Sequence, residues 1–233
     1  MSHVFFNFQG NAVAAVLAFL GFGLVEGVAI SGAVVFFVRR KRRLARGLLI
    51  GAGGVAGLYG CVLLLCSLTS REQVAARGEE KYFCEVDCHL AYSVTGLRYS
   101  RTVGSGADRA IARGTYAVVD LRVRFDEKTI GPLRPEDRSL TPNPRAVAVV
   151  DAAGNAYVPD SIGQRALESA EGPAIPLTRP LVPGESYVTR LVFDLPENAR
   201  EPRLLVRESD WITRALIGHE NSPLHRKTIF RLG

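Results

Sequence analysis

Residues 12–38 read AVAAVLAFLGFGLVEGVAISGAVVFFV, and residues 44–68 read LARGLLIGAGGVAGLYGCVLLLCSL. Each stretch holds a single charged residue, Glu26 in the first and Arg46 in the second. At about 1.5 Å of rise per residue, either helix reaches across the roughly 30 Å hydrocarbon core of a bilayer. Between them stand Arg39, Arg40, Lys41, Arg42 and Arg43. Two apolar spans joined by a tight basic turn predict a transmembrane helical hairpin. A cleaved signal peptide fits poorly: no Lys or Arg precedes the first run, the run is too long, and the basic cluster follows it. Leu58-Tyr59-Gly60-Cys61 is a poor lipobox, so Cys61 and Cys66 are read as small apolar fillers of a membrane helix.

The basic residues also predict orientation. Arg39, Arg40, Lys41, Arg42, Arg43 and Arg46 hold the turn on the cytoplasmic side of a bacterial inner membrane. Residues 1–11 carry no Lys or Arg and are expected to face outward. Residues 69–81 form a polar connector, and 82–233 an extracytoplasmic domain. The 233-residue chain has 29 Lys and Arg against 23 Asp and Glu, a formal net charge of +6. Taking away the six basic residues of the turn leaves 23 of each sign. The excess positive charge is therefore a topology signal and offers no field to draw in nucleic acid. With 47% hydrophobic residues and a mean hydropathy of +0.11, the chain has enough apolar surface to exclude disorder.

Glu26 lies near the middle of the first span. A carboxyl group there is costly and points to a proton or cation site or a partner contact. The plainer alternative is a protonated Glu bonded to the neighbouring helix, since one acid on two helices makes no evident conduction path. Gly23-xxx-Gly27, followed by Ser31, and Gly53-xxx-Gly57 are small-residue pairs that let backbones approach. The expectation is that they pack the two helices on each other, with dimerisation as the alternative.

From Tyr82 onward the pattern shortens to period two. Ala117, Val119, Leu121, Val123 and Phe125 share one face of a predicted strand 116–125, with Asp120, Arg122 and Arg124 on the other. Leu191, Phe193 and Leu195 repeat this in 187–195, preceded by a Pro183-Gly184 type II turn. Residues 146–150 and 156–158 read as a hairpin around a five-residue loop, and 89–97, 204–206 and 227–232 as further strands. Asp210 to Ile217 predicts a short helix stopped by Gly218, and 160–168 a short helix or loop. About seven short strands with turn signals favour an antiparallel immunoglobulin-like β-sandwich.

Gly114-Thr115-Tyr116-Ala117-Val118-Val119-Asp120-Leu121-Arg122-Val123 is one of several stretches carrying a family likeness. The others are Val149 to Tyr157, Leu181-Val182-Pro183-Gly184-Glu185-Ser186 and Leu191 to Pro196. Together they resemble a bacterial Ig-like extracytoplasmic domain family of membrane-anchored or secreted proteins. The likeness runs over roughly residues 85–207 and implies a β-sandwich, but no activity. The helical hairpin departs from that family's commoner single anchor, and 209–233 lies beyond it.

One local constellation carries chemistry: Cys84-Glu85-Val86-Asp87-Cys88-His89. Outside the cytoplasm, two nearby thiols most simply form a disulfide. Residues four apart on a regular strand are about 13 Å apart, so bridging Cys84 and Cys88 needs a bend at 85–87. A copper or zinc site on Cys84, Cys88 and His89, with His219, Glu220 or His225 approaching from elsewhere, is the alternative, as is a redox-active thiol pair. Two spans and an outward β domain with Cys-x-x-x-Cys are similar to the copper-bearing second subunit of respiratory oxidases. That family places its Cys pair late and follows it with His and Met, whereas here the pair comes first and Met1 is the one methionine. No Gly-x-Ser-x-Gly elbow or His-Glu-x-x-His motif occurs. The expectation is a non-catalytic, cofactor-free module whose partners are the lipid bilayer and another membrane or envelope protein.

Overall fold

The computed structural model describes residues 4–84, 89–129 and 139–233. The chain forms two compact units. One comprises Phe8–Arg71 and Trp211–Arg226, the other Met1–Asn7, Glu72–Asp210 and Lys227–Gly233. The β unit therefore gains strands from before residue 82, and 211–226 groups with the helices, where the sequence kept 82–233 together.

The helical unit contains α1 (Ala12–Val38) and α2 (Arg42–Thr69), two long apolar helices close to the predicted spans. Asn11 starts α1 as its N-cap, its side chain accepting from Ala14 N at 3.1 Å. The basic turn closes with Arg40 in the left-handed region (φ 59°) and Lys41 N donating to Phe36 O at 2.8 Å. What these helices bury is small: Ala15, Ala33, Ala45 and Ala52, with Leu63 and Ser67. The glycine expectation is corrected here. A Cβ added at Gly23, Gly27, Gly53 or Gly57 would meet nothing within 4 Å. Most of the side chains that the helices bury are alanines, and among their glycines Gly32 approaches the partner helix, where a Cβ would lie 3.1 Å from Leu48 Cδ1.

In the same unit, the helix predicted over 210–217 is a single 3-10 turn, Ile212–Ala215. Arg214 N donates to Trp211 O and Leu216 N to Thr213 O, the tighter i to i+3 pattern. The turn ends at Ala215 with Leu216 as its cap, and Gly218 follows at φ +79°, where Gln9 N donates to its carbonyl and a Cβ would lie 2.8 Å from Gln9 O. The crossing Gln9 backbone fits against a glycine and would not fit against a continuing helix.

The β unit holds two five-stranded sheets. The first orders β1 (Val4–Phe6), β3 (Glu80–Phe83), β4 (Leu90–Val103), β5 (Ala110–Phe125) and β8 (Ser186–Leu195). The second orders β2 (Gln73–Ala75), β10 (Thr228–Arg231), β9 (Arg203–Glu208), β6 (Arg145–Val150) and β7 (Ala156–Tyr157). Pairing is antiparallel except at one end of each sheet, where β1 runs parallel to β3 and β2 parallel to β10. Both sheets are therefore mixed, which corrects the wholly antiparallel expectation. Parallel neighbours need long crossovers. The two-helix segment supplies one between β1 and β3, and most of the domain lies between β2 and β10.

The two sheets share one core. Tyr92, Leu121 and Phe193 enter it from the first sheet, and Val149, Leu204 and Phe230 from the second. The predicted alternation along β5 holds, with one addition. Tyr116 and Val118 on its other face are also buried, under α3 (Ser161–Glu171). Asp160 caps α3 by accepting from Gly163 N at 2.6 Å. Gln164 reaches the β8 edge, its amide bonding both Arg190 O and Val192 N at 3.1 Å. An unpaired strand edge is thereby covered.

Candidate functional site

At one end of the shared core, charged side chains lie where apolar ones are usual. Arg145 opens β6 directly opposite Glu208 on β9. Their side chains are 1% and 3% exposed, with Nη1 and Oε1 3.7 Å apart. Asn7, just past β1, donates from Nδ2 to Glu208 Oε1 at 2.8 Å and accepts from Cys84 N at 2.9 Å. The Arg145 guanidinium carbon sits 4.3 Å from the Phe83 ring centre and 5.7 Å from that of Tyr92. Lys81 on β3 is fully buried, and its Nζ donates to Val206 O at 2.7 Å and Thr228 O at 3.2 Å. Those carbonyls stand beyond the last bonded pairs of β9 and β10, Phe230 with Leu204 and Arg231 with Arg203. The ammonium from the first sheet thus satisfies acceptors that the second leaves open. Burying such groups is costly unless every partner is present, so removing one partner is far worse than never having the pair.

A cavity of about 40 Å³ adjoins this cluster, lined by Phe83, His89, Leu90, Leu140, Asn143 and Arg145 among others. That volume holds about one or two waters. The His89 ring is buried; its Nδ1 lies 2.5 Å from Thr129 Oγ1, and the ring tilts against Phe125 with centres 5.3 Å apart. Cys84 is buried at the end of β3, while Cys88 and residues 85–87 lie outside the described residues. The bend proposed for a Cys84–Cys88 bridge falls there too. Cys61 and Cys66 are free thiols on α2. Among the described residues no three or more His, Cys, Asp and Glu side chains gather as a metal site. His219, Glu220 and His225 are buried, but they belong to the helical unit whereas Cys84 and His89 belong to the β unit.

A second polar group lies on the outer face of the first sheet. Arg124 on β5 and Tyr82 on β3 flank the small Ala91 of β4, their common neighbour in register. Arg124 grips Glu80 through Nε at 2.8 Å and Nη2 at 2.7 Å, and Tyr82 donates to Asp126 Oδ2 at 2.5 Å. The Arg124 hydrogen bond holds the Glu80 carboxyl below its usual range. Burial pushes Asp126 up, but bonds from Tyr82, Arg124 and Lys128 N outweigh it and leave it lowered. Burial and the bond to Asp126 push the Tyr82 phenol well up. The group is an electrostatic clamp across three strands.

The remaining sequence-predicted positions lie in the helical unit. Glu26 is on α1 with Oε1 buried and without a hydrogen-bond partner. Arg39, Arg40, Lys41, Arg42, Arg43 and Arg46 are all exposed. The buried Lys81, Arg145 and Glu208 were not anticipated. Lys81 alternates with charged and aromatic neighbours, like a residue of a surface strand, so no local signal marked it.

No protein-family model and no curated protein matches the chain. Among solved structures it is similar to a conserved hypothetical protein from Bacillus anthracis, at 16% identity and a TM-score of 0.40. That match spans 51% of this chain and 82% of the other. It is also similar to the secreted protein MPT63 from Mycobacterium tuberculosis, at 15% identity and a TM-score of 0.43. Here 70% of this chain and all of the other are spanned.

Proposed function

We propose that this chain is a two-pass protein of a bacterial cytoplasmic membrane that carries its β unit outside the cytoplasm. There it serves as a non-catalytic interaction or envelope-assembly module. One observation carries the membrane reading. The apolar windows of α1 and α2 have mean hydropathies of 2.3 and 2.1, yet only 6% and 11% of them are buried within the protein. A core helix of a soluble protein would bury that face, and leaving it in water would forfeit about 25 cal/mol per Å². The exposed basic turn supports a cytoplasmic location for residues 39–46. The near-zero net charge elsewhere argues for a protein or lipid partner over nucleic acid. The antiparallel centres of both sheets support kinship with Ig-like extracytoplasmic domains. An oxidising location would also favour a Cys84–Cys88 disulfide, which non-reducing mass analysis of the peptide spanning both residues would reveal as a two-proton deficit.

The test is cysteine labelling of intact cells with a membrane-impermeant maleimide. Val158, which is 71% exposed, and Arg40 are each replaced by Cys, with the wild type as background. Labelling at Val158→Cys and protection at Arg40→Cys are expected. The reverse pattern would invert the orientation, and labelling of both would remove the membrane barrier.

A further inference from the structure

Residues 211–226, between β9 and β10, are built inside out. Their protein-facing side chains are mostly polar: Thr213, His219, Glu220, Ser222 and His225 are all buried, at 9% exposure or less, with Leu216 at 8% the apolar exception. Their outward side chains include large apolar ones, with Trp211 74% exposed, Leu224 68% and Ile212 40%, beside the exposed Arg214 and Arg226. In water this arrangement has the wrong sign, because it solvates the apolar groups and dehydrates the polar ones.

A hydrogen bond fixes the height of this segment along the helices. Tyr59 donates its hydroxyl to Ala215 O at 2.7 Å, and the Tyr59 ring stacks on Phe22 with centres 4.3 Å apart. Tyr59 lies ten residues before Thr69, and Phe22 ten after Ala12. Both are thus about 15 Å inward of their helix ends. The helices, at 27 and 28 residues, are about 40 Å long against a hydrocarbon core of roughly 30 Å. If the core begins anywhere from Arg42 to Arg46, its outer boundary falls about 20 residues on, near residues 62–66. The level of Tyr59 is then some 4–10 Å beneath that boundary. Non-helical backbone survives at such depth only where protein groups satisfy it. Here the Ala215 carbonyl has Tyr59, the Leu216 carbonyl accepts from Ser222 Oγ at 2.5 Å, and the Gly218 carbonyl accepts from Gln9 N.

We propose that Trp211–Leu224 is an interfacial membrane segment. It seats Trp211, Ile212 and Leu224 at the boundary between acyl chains and headgroups of the outer leaflet, beside the hairpin. Trp is favoured at that level because its ring is apolar and its N–H polar. The exposed Arg214 can extend its aliphatic stem along the boundary and place its guanidinium among the lipid phosphates. This inference rests on the reading of α1 and α2 as membrane-spanning, and it adds a third membrane contact.

Trp211 is the chain's only tryptophan, so the wild-type protein carries its own probe. The full-length chain is reconstituted into phosphatidylcholine–phosphatidylglycerol vesicles whose acyl chains are brominated near the glycerol end. An about twofold or greater loss of Trp211 emission is expected, with weak quenching by aqueous acrylamide. In the same vesicles, Cys61 on α2 is tested with a water-soluble maleimide and labelling is located by mass analysis. Cys61 shielded while Trp211 is quenched by acrylamide and not by bromolipid would overturn the interfacial segment alone. Cys61 freely labelled would overturn the spanning hairpin, and the segment with it.

Discussion

The helical unit and the β unit apply the same rule of burial in opposite directions. The β unit hides Tyr92, Phe125, Phe193 and Phe230 and presents arginines and acids outward. The helical unit hides mostly alanines, two serines and a histidine pair, with Phe8, Leu63 and Leu216 the larger apolar exceptions, and presents Leu24, Val28, Ile50 and Leu58. A side chain's place follows the solvent it is matched to, and on the proposed membrane reading the two units are matched to different ones. The preponderance of alanine among the side chains that α1 and α2 bury fits the same reading. Were α1 and α2 in a bilayer as proposed, lipid would already solvate leucine, burying it against protein would gain little, and close backbone approach would decide the contact.

The sharpest way to break that comparison is to truncate a large side chain in each unit. Phe193→Ala should cost the β unit about 3–5 kcal/mol, through lost transfer energy and the cavity left behind. Leu24→Ala, at a position 69% exposed, should leave β-unit stability unchanged. Hydrogen exchange of β5 amides in the full-length protein reads both, and equal effects would mean the units are not independent. Adding charge separates the two solvents more directly. On a water-facing helix Leu24→Arg would be nearly neutral, within about 0.5 kcal/mol. In a bilayer it should oppose insertion by about 3 kcal/mol. Membrane fractionation of the expressed variant decides, and full retention would weaken the spanning reading.

A smaller effect tests the packing of α3 on the first sheet. On a free helix, replacing Gly by Ala gains about 1 kcal/mol. A Cβ at Gly163 would instead meet Tyr116 Cε1 at 2.8 Å and Val192 Cγ1 at 2.9 Å. Gly163→Ala should therefore destabilise, by about 1–3 kcal/mol, because neither the ring nor the buried valine can yield cheaply. Thermal unfolding of the variant checks the sign, and a raised midpoint would show that the helix shifts freely.

How much of this was legible in the sequence varied with the range of the interactions involved. The α1 and α2 spans follow from composition, and β5 from the alternation over residues 119–125, so both could be read locally. The Pro183-Gly184 turn was legible too: Glu185 N donates to Val182 O at 3.0 Å, and Gly184 has φ +81°. The strands β1, β2 and β3 are three or four residues long, too short for a period to show, and the first two are held by parallel neighbours far along the chain. The buried charges were illegible for the same reason. Lys81 and Val206 are 125 residues apart in sequence, and Asn7 and Glu208 are 201 apart. Nothing near Lys81 signals that two open carbonyls will face it. The 3-10 turn at Ile212–Ala215 was misread as a helix because its end depends on Gln9, which crosses from the other end of the chain.

The smallest expected effect probes the polar face of the β unit, which has no counterpart on the apolar helices α1 and α2. Glu80 and Asp126 are both held below their ordinary range, so the folded state binds their protons less readily than the unfolded chain. Their contribution to stability is then complete above the unfolded carboxylate values, about 4. It is lost as pH falls through the lower folded values. Arg124 creates much of that depression, and its Glu80 pair is only about a quarter exposed, at 23% and 24%. Arg124→Met keeps the aliphatic stem and removes the donors. It should cost about 1 kcal/mol at neutral pH, the scale of a partly screened ion pair with good geometry. It should also flatten the acid dependence, so that the gap between wild type and variant narrows from neutral pH to an acid pH below the ordinary carboxylate range, as the carboxylates protonate. Denaturant titrations of the full-length protein at both pH values, read from β5 amide protection, measure that gap. A gap that stayed constant with pH would mean that Arg124 acts through the packing of its stem over Ala91, with the clamp contributing nothing.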